Sequence, residues 1–170
     1  MRVTLRISRG LYEHVLNDLR RPHAFAAERI GFLSTKLGRV SESELLVFMT
    51  EYQPVEDDLY IEDFSVGARI NSEAIRRGMQ TVVETGRGLY HVHLHDWSGV
   101  PSPSYTDRQE IPPLVKSFHN VSRDGVPHGL IIFSKDKAVA FTSIAKQSEL
   151  AVASRISVVG HPLTFLDGDL

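Results

Sequence analysis

The 170-residue chain contains no cysteine. That excludes disulfides, a thiolate nucleophile and any cysteine-ligated zinc, so a transition-metal site would have to be assembled from histidines and carboxylates. It also fits a reducing compartment. No apolar run approaches the ~20 residues of a membrane span, and the N-terminus lacks the apolar core of a signal peptide; a cytoplasmic protein is expected. Neither sign of charge dominates: 19 Lys and Arg face 21 Asp and Glu, for a net charge of −2. Nothing in that balance points to nucleic acid or to a membrane surface as a partner. Repeats, low-complexity segments and linkers are also missing. With 42% hydrophobic and 24% charged residues, the composition is that of an ordinary globular protein, and the length suits a single domain over residues 1–170 with a substantial core.

What is present is an alternation of strand and helix signals. Val3 to Ile7 alternates apolar and polar residues, as a half-buried strand does. Ser8 is placed to cap a helix running to Arg21, with Leu11, Val15 and Leu19 on one face and Pro22 as its stop. Phe25 to Ser34 reads as a helix end or turn entering a buried strand, and Leu45 to Tyr52 as a second strong strand. Gln53 to Ile61 is acidic and reads as an irregular surface loop; a charge run of this kind is usually only solvated. Phe64 and Val66 begin another short strand or extended piece. Asn71 or Ser72 can cap a helix through Glu84, whose Ile75, Met79, Val82 and Val83 keep the helical period, and Gly86 suits its left-handed end. Downstream, a short helix is expected from Arg108 to His119, with Pro112 and Pro113 tolerable in a first turn but not in mid-helix. Gly129 to Ser134 and Ala138 to Ser143 read as a hairpin. Leu150 to Val159 reads as a final strand, and Thr164 to Leu170 as a loose tail. The fold class expected is α/β, a mixed β-sheet flanked by helices.

The stretch from Gly88 to Asp107 carries the chemistry. On a strand, alternate side chains share a face, so His91, His93 and His95 point the same way. Two imidazoles at i and i+2 make half of a tetrahedral zinc site. Gly99, Pro101 and Pro103 mark a loop, and Ser104 and Asp107 follow it. A carboxylate there would close the coordination sphere as a third ligand and leave the fourth position to water, which is what a catalytic zinc needs. A His-x-His pair by itself is weak evidence, because most such pairs are half-buried strand residues making ordinary hydrogen bonds. Three alternating histidines with a proline-rich loop and an Asp behind them tip the balance towards metal. Glu28 taken alone reads as a solvent-facing residue beside Arg29.

The order of these parts resembles the JAB/MPN domain with its JAMM metal motif, a family of zinc isopeptidases and prokaryotic relatives. Residues 25–160 carry the resemblance. Glu28-Arg29-Ile30-Gly31-Phe32-Leu33 is similar to the family's Glu-x-x-Gly-x-Leu, His93-Leu94-His95 to its His-x-His, and Ser104-Tyr105-Thr106-Asp107 to its Ser-x-x-Asp. The resemblance implies zinc held by His93, His95 and Asp107, Glu28 as the catalytic acid–base and Ser104 as the active-site serine. It implies a layered, cytidine-deaminase-like architecture and hydrolysis of the amide or isopeptide bond after the C-terminal Gly of a ubiquitin-like protein. The compact size looks like that of a bacterial stand-alone member, and the resemblance then implies E1-like and E2-like proteins as partners, in conjugation-type antiviral systems or in sulfur-carrier processing. Two departures stand out: Asp96 occupies the place of the usual Pro, and the spacing from His95 to Asp107 is one residue longer than the common form. Gly88 to His93 also resembles the family's Gly-x-Tyr-His-x-His, which would make His91 and His93 the pair; the loop length favours His93 and His95.

Three rivals differ in class. A metal-free MPN scaffold would have no need of a water-activating Glu. A metallo-β-lactamase-like site would need its Asp and His in the reverse order and a longer chain. A cupin would need strands where Ser72 to Glu84 reads as helix.

Overall fold

A computed structural model describes residues 1–39, 41 and 43–167. Three helices and nine strands follow one another as β1 (Arg2–Ser8), α1 (Arg9–Leu19), β2 (Ile30–Arg39), β3 (Glu44–Pro54), α2 (Ser72–Thr85), β4 (Gly88–Leu94), α3 (Tyr105–Val121), β5 (His128–Phe133), β6 (Ala138–Ser143), β7 (Ala151–Val152), β8 (Arg155–Val159) and β9 (Thr164–Phe165). All nine strands form one mixed sheet in the order β7-β6-β5-β4-β2-β3-β1-β8-β9. The pairs β1–β3, β1–β8 and β4–β5 are parallel and the others antiparallel. The sheet curls until its two halves meet. Ala153 and Ser154, between β7 and β8, donate to Ala140 of β6 and Val3 of β1 respectively, and Ala138 of β6 donates to Leu166.

The alternation of side chains along the strands separates two cores. Val3, Leu5, Ile7, Leu33, Val47, Tyr90, Val92, Ile131 and Val158 face α1, which fills the curl with Val15, Leu16 and Leu19. Fully burying side chains of this kind contributes about 2 kcal/mol each. Ile30, Phe32 and Leu89 on the other face pack against Ala74 and Val82 of α2 and Phe118 of α3, while Leu130 and Ile132 pack against Ile111 and Val115 of α3. Every residue of β4 is buried. It lies near the centre of the sheet with a helix layer on each face, which is why its sequence is apolar apart from its histidines.

The helix signals are met at their caps. Ser8 accepts from Leu11 N, Asn71 accepts from Ala74 N at 3.1 Å, and Gly86 takes the left-handed conformation at φ 64°, which costs a glycine nothing. Several expectations are corrected. The third helix starts at Tyr105, not Arg108, because Ser104 and Asp107 form a capping box. Pro112 and Pro113 therefore lie inside it. Both are exposed, as are Arg108 and Gln109 one turn earlier, so the carbonyls that lose their helical donors face water. Phe64 and Val66 lie in a turn, not in a strand. The final strand is two: β7 forms one edge of the curled sheet, and β8 lies next to the other edge, which β9 forms. Thr164 to Asp167 is no loose tail: β9 pairs with β8, Leu166 is buried, and Asp167 accepts from Ile156 N at 3.0 Å. The rest of that expected tail, residues 168–170, lies outside the described residues. The acidic Gln53–Ile61 segment extends β3 and then makes a single 3-10 turn, Asp57–Leu59, with Val55, Leu59 and Tyr60 buried. No helix among the described residues is long and apolar enough to cross a membrane.

Candidate metal centre

The register between β2 and β4 assembles the site. Ile30 lies opposite His93 and Phe32 opposite His91 in an antiparallel pair. Two residues before Ile30 is Glu28; two residues after His93 is His95. Continuing the antiparallel register past the strand ends therefore brings Glu28 against His95. His95 lies just beyond β4, contrary to the expectation of three histidines on one strand. Its backbone N–H still donates to Phe133 O at 2.9 Å, continuing the pairing with β5 for one more residue.

The Nε2 atoms of His93 and His95 are 3.2 Å apart. His95 Nε2 is 3.7 Å from Glu28 Oε1, and His93 Nε2 is 3.6 Å from Asp107 Oδ1. Ligand atoms of Glu28, His93 and His95 all lie within 4.8 Å of one another, a group that can hold a metal ion. Asp107 pairs with His93 and not with His95, so the group that converges within 4.8 Å contains Glu28 where the expected ligand set has Asp107. Asp107 divides its carboxylate: Oδ2 accepts from Ser104 N at 2.7 Å, while Oδ1 turns to His93. Ser104 is the helix cap, its hydroxyl accepting from Asp107 N at 3.1 Å. His91 stays outside the group. Its ring stands edge-on to His93, with centroids 5.5 Å apart, and its Nδ1 is buried without a partner.

The geometry fits a small cation with nitrogen and oxygen ligands. Tetrahedral zinc with bonds of about 2.0–2.1 Å separates its ligand atoms by about 3.3 Å, and the observed 3.2 and 3.6 Å bracket that distance. Electrostatics favour the metal-binding protonation states. Burial pushes His93 down to about 4, with Asp107 partly opposing, and burial also lowers His95. Neutral imidazoles thus offer lone pairs at ordinary pH. Burial would raise Asp107, but His93 and the two Ser104 hydrogen bonds outweigh it and hold the carboxyl below its usual range. Glu28 goes the other way: burial, reinforced by the Asp107 charge, pushes it up to about 7. Two carboxylates in one site with opposite shifts are the arrangement from which acid–base chemistry is built.

Residues without a motif hold the site. Ala27 N and Glu28 N both donate to Gly67 O, at 2.8 and 3.1 Å. A Cβ on Gly67 would sit 2.7 Å from Glu28 Oε2, so the carboxylate lies where only glycine leaves room. Glu28 is half-buried, not the solvent-facing residue that reading it alone suggests, and its neighbour Arg29 is only 2% exposed. Its guanidinium donates to Arg21 O, Pro22 O and Asp57 Oδ1 at 2.9, 2.9 and 2.7 Å. Tyr60 Oη accepts from Ile30 N at 2.7 Å. On the other side, the Trp97 indole stacks on the His95 ring at 5.9 Å, and the loop it belongs to is tied to the β5–β6 turn by Gly99 N donating to Asp136 Oδ1 at 2.8 Å. Arg29 and Trp97 carried no signal in sequence beyond their neighbours. A cleft of about 570 Å³ opens at the site, bordered by Glu28, His91, His93, Gly67, Ser104 and Asp107. No protein-family model matches the chain, and no curated protein matches it.

Proposed function

We propose that this chain is a zinc-dependent amide hydrolase of the JAB/MPN type with a JAMM ligand set. Its substrate would be the bond after the C-terminal glycine of a ubiquitin-like protein. The observation that carries the reading is the meeting of Glu28, His93, His95 and Asp107, from three separated stretches of chain, beside a cleft that Glu28, His93 and Asp107 border. Support for the fold comes from the curled mixed sheet with α1 inside and α2 and α3 outside. By resemblance, E1-like and E2-like proteins would be the working partners, in antiviral conjugation or sulfur-carrier processing.

His93, His95 and Asp107 would hold the ion. When bound, zinc polarises a water and lowers its pKa towards about 7. Glu28 would take a proton from the attacking water and later give it to the nitrogen of the leaving amine. The water oxygen joins the carbonyl carbon, the carbon–nitrogen bond breaks, and the products are a carboxylate and an amine. A carboxyl near 7 exchanges protons readily in both directions at neutral pH. Ser104 accepts a hydrogen bond as helix cap, and its own O–H would turn to donate to the oxyanion; one such donor is worth ~3 kcal/mol.

One observation favours a second reading. Glu28 approaches His95 as closely as Asp107 approaches His93, so Glu28 can itself be a ligand, closing a four-ligand centre without an open position. That would be a metal-binding scaffold and not an enzyme. The deciding experiment is zinc content together with hydrolysis of ubiquitin-like fusions for wild type and Glu28→Ala. Zinc retained and hydrolysis lost in Glu28→Ala supports the enzyme. Zinc lost in Glu28→Ala, with no hydrolysis by wild type, supports the closed centre. Wild type that takes up no zinc would sink both.

A further inference from the structure

We infer that the candidate metal centre lies at the junction of two compartments of opposite character, and that the second one receives a carboxylate-bearing portion of the substrate. The inference deepens the hydrolase reading above and rests on it.

Glu28 borders two clefts. The first, already described, is walled largely by apolar side chains, among them Ile30, Val66, Ile70, Ile111 and Leu114. The second, of about 650 Å³, lies between the C-terminal end of α1, the bend that carries Glu28, and the β5–β6 turn. Its wall carries Arg20, Arg21, His23 and Lys135, with Asp96 as the opposing carboxylate beside Glu28. Some of this charge is committed. Arg21 pairs with Asp18 at 2.7 Å, and Lys135 with the exposed Asp96 at 3.2 Å. Arg29 also borders the cleft, but its guanidinium is taken by Asp57 and two carbonyls. Arg20 is exposed and makes no side-chain hydrogen bond or ion pair among the described residues.

Two details bear on the polarity of this wall. The end of a helix normally presents bare carbonyls and a partial negative charge, which repels anions. Here the carbonyls of Leu16 and Asp18 accept from the amides of Arg20 and Arg21, and those of Arg21 and Pro22 accept from Arg29. His23 supplies the second detail. Its Nδ1 accepts from Phe25 N and Ala26 N at 3.3 and 3.2 Å, which assigns the ring proton to Nε2. That Nε2 is buried with no partner, and a buried donor left unmet is unfavourable.

A chain with its scissile bond at Glu28 must run both ways from that carboxylate. One direction leads between apolar walls; the other leads to the donors. The ligand class is therefore a peptide with negative charge within a residue or two of the cut bond on one side. The charge can come from acidic side chains or from a free terminal carboxylate.

The test uses the full-length zinc-reconstituted protein and fluorescein-labelled peptides containing Gly-Gly followed by Glu-Glu-amide, Lys-Lys-amide, Ala-Ala-amide or Ala-Ala with a free carboxylate. Anisotropy reads binding and mass spectrometry reads cleavage. The Glu-Glu peptide, the free-carboxylate peptide, or both should bind about fivefold tighter than the Lys-Lys and Ala-Ala amides, a gain of the size expected for a partly exposed ion pair. Which of the two gains tells the source of the charge. Arg20→Glu and Lys135→Glu, both surface changes, should abolish the preference and favour the Lys-Lys peptide. Equal binding of all four peptides, or a preference that survives both reversals, overturns the inference. Cleavage of all four without preference overturns it while leaving the hydrolase reading intact. Selective binding by a protein that takes up no zinc and cuts nothing removes the hydrolase reading and leaves the carboxylate compartment standing.

Discussion

His93 and His95 bring their Nε2 atoms to 3.2 Å, although only the first belongs to β4. The pair needs both a strand and its exit: His93 is fixed by the ladder, and His95 is turned back by the loop tied to β5 and to the β5–β6 turn. If this pair is the metal-binding half of the site, zinc content should respond to it selectively. One zinc per chain is expected in wild type, lost in His95→Ala and strongly reduced in Asp107→Ala. His91→Ala should retain it, because His91 lies outside the converging group. Loss with His91→Ala and retention with His95→Ala would move the ligand pair one step back along the strand.

Glu28 should make zinc binding release protons. In the metal-free protein its carboxyl is held at about 7, so near neutral pH it is partly protonated. A cation beside it favours the carboxylate and expels the proton. Calorimetric titration of zinc near pH 7 in buffers of different ionisation enthalpy should therefore show proton release that shrinks in Glu28→Gln. The same shift sets a stability trend. A raised carboxyl contributes stability present below its unfolded value and lost as pH rises from about 4.5 through about 7. Glu28→Gln should remove that slope from metal-free denaturation curves.

Gly67→Ala should impair hydrolysis more than metal binding. The added methyl would meet the Glu28 carboxylate at 2.7 Å, and the carboxylate is the softer partner, so it would swing away. A loss of about 10²-fold in kcat, the lower range for a displaced acid–base group, is expected with zinc content unchanged. Kinetics beside metal analysis checks this. An unchanged kcat would mean that Glu28 tolerates displacement and has no proton to move.

Arg29→Leu should destabilise the fold by roughly 2–3 kcal/mol, since it leaves the carbonyls of Arg21 and Pro22 without their donor in a half-buried bend. Asp57 is 61% exposed and regains water when the pair is broken, which keeps the cost from rising further. Urea denaturation reads the change directly.

His128 predicts the acid side of the stability profile. It is fully buried, its Nδ1 accepts from Leu89 N at the head of β4 at 3.1 Å, and burial, with His119 adding to it, pushes it down to about 3. A depressed histidine contributes stability that is present above its unfolded value and lost as pH falls from about 6.5 through about 3. One such group gives a slope of at most about 1.4 kcal/mol per pH unit. His128→Asn, whose side-chain oxygen can still accept from Leu89 N, should flatten the acid limb. An unchanged limb would assign acid unfolding to other groups.

Local rules made much of this protein legible in its sequence. The period of apolar residues and the capping residues Ser8, Asn71 and Gly86 determined α1, α2 and the strands beside them, because these depend on neighbours a few residues away. Cysteine's absence restricted any metal site to histidines and carboxylates, and the alternation in Gly88–Leu94 singled out the histidines. Tertiary structure alone decided the rest. The split of Leu150–Val159 between opposite ends of the sheet order and the capture of Thr164–Asp167 depend on closure of the curled sheet, which no local period encodes. Pro112 and Pro113 sit inside a helix because their turn faces water and an upstream capping box starts the helix early. Above all, the register Ile30 opposite His93 brings Glu28 to His95 and burial splits the two carboxylates, one pushed up and one held down. That split depends on which charges and walls surround each group, and it exists only once distant segments have packed together.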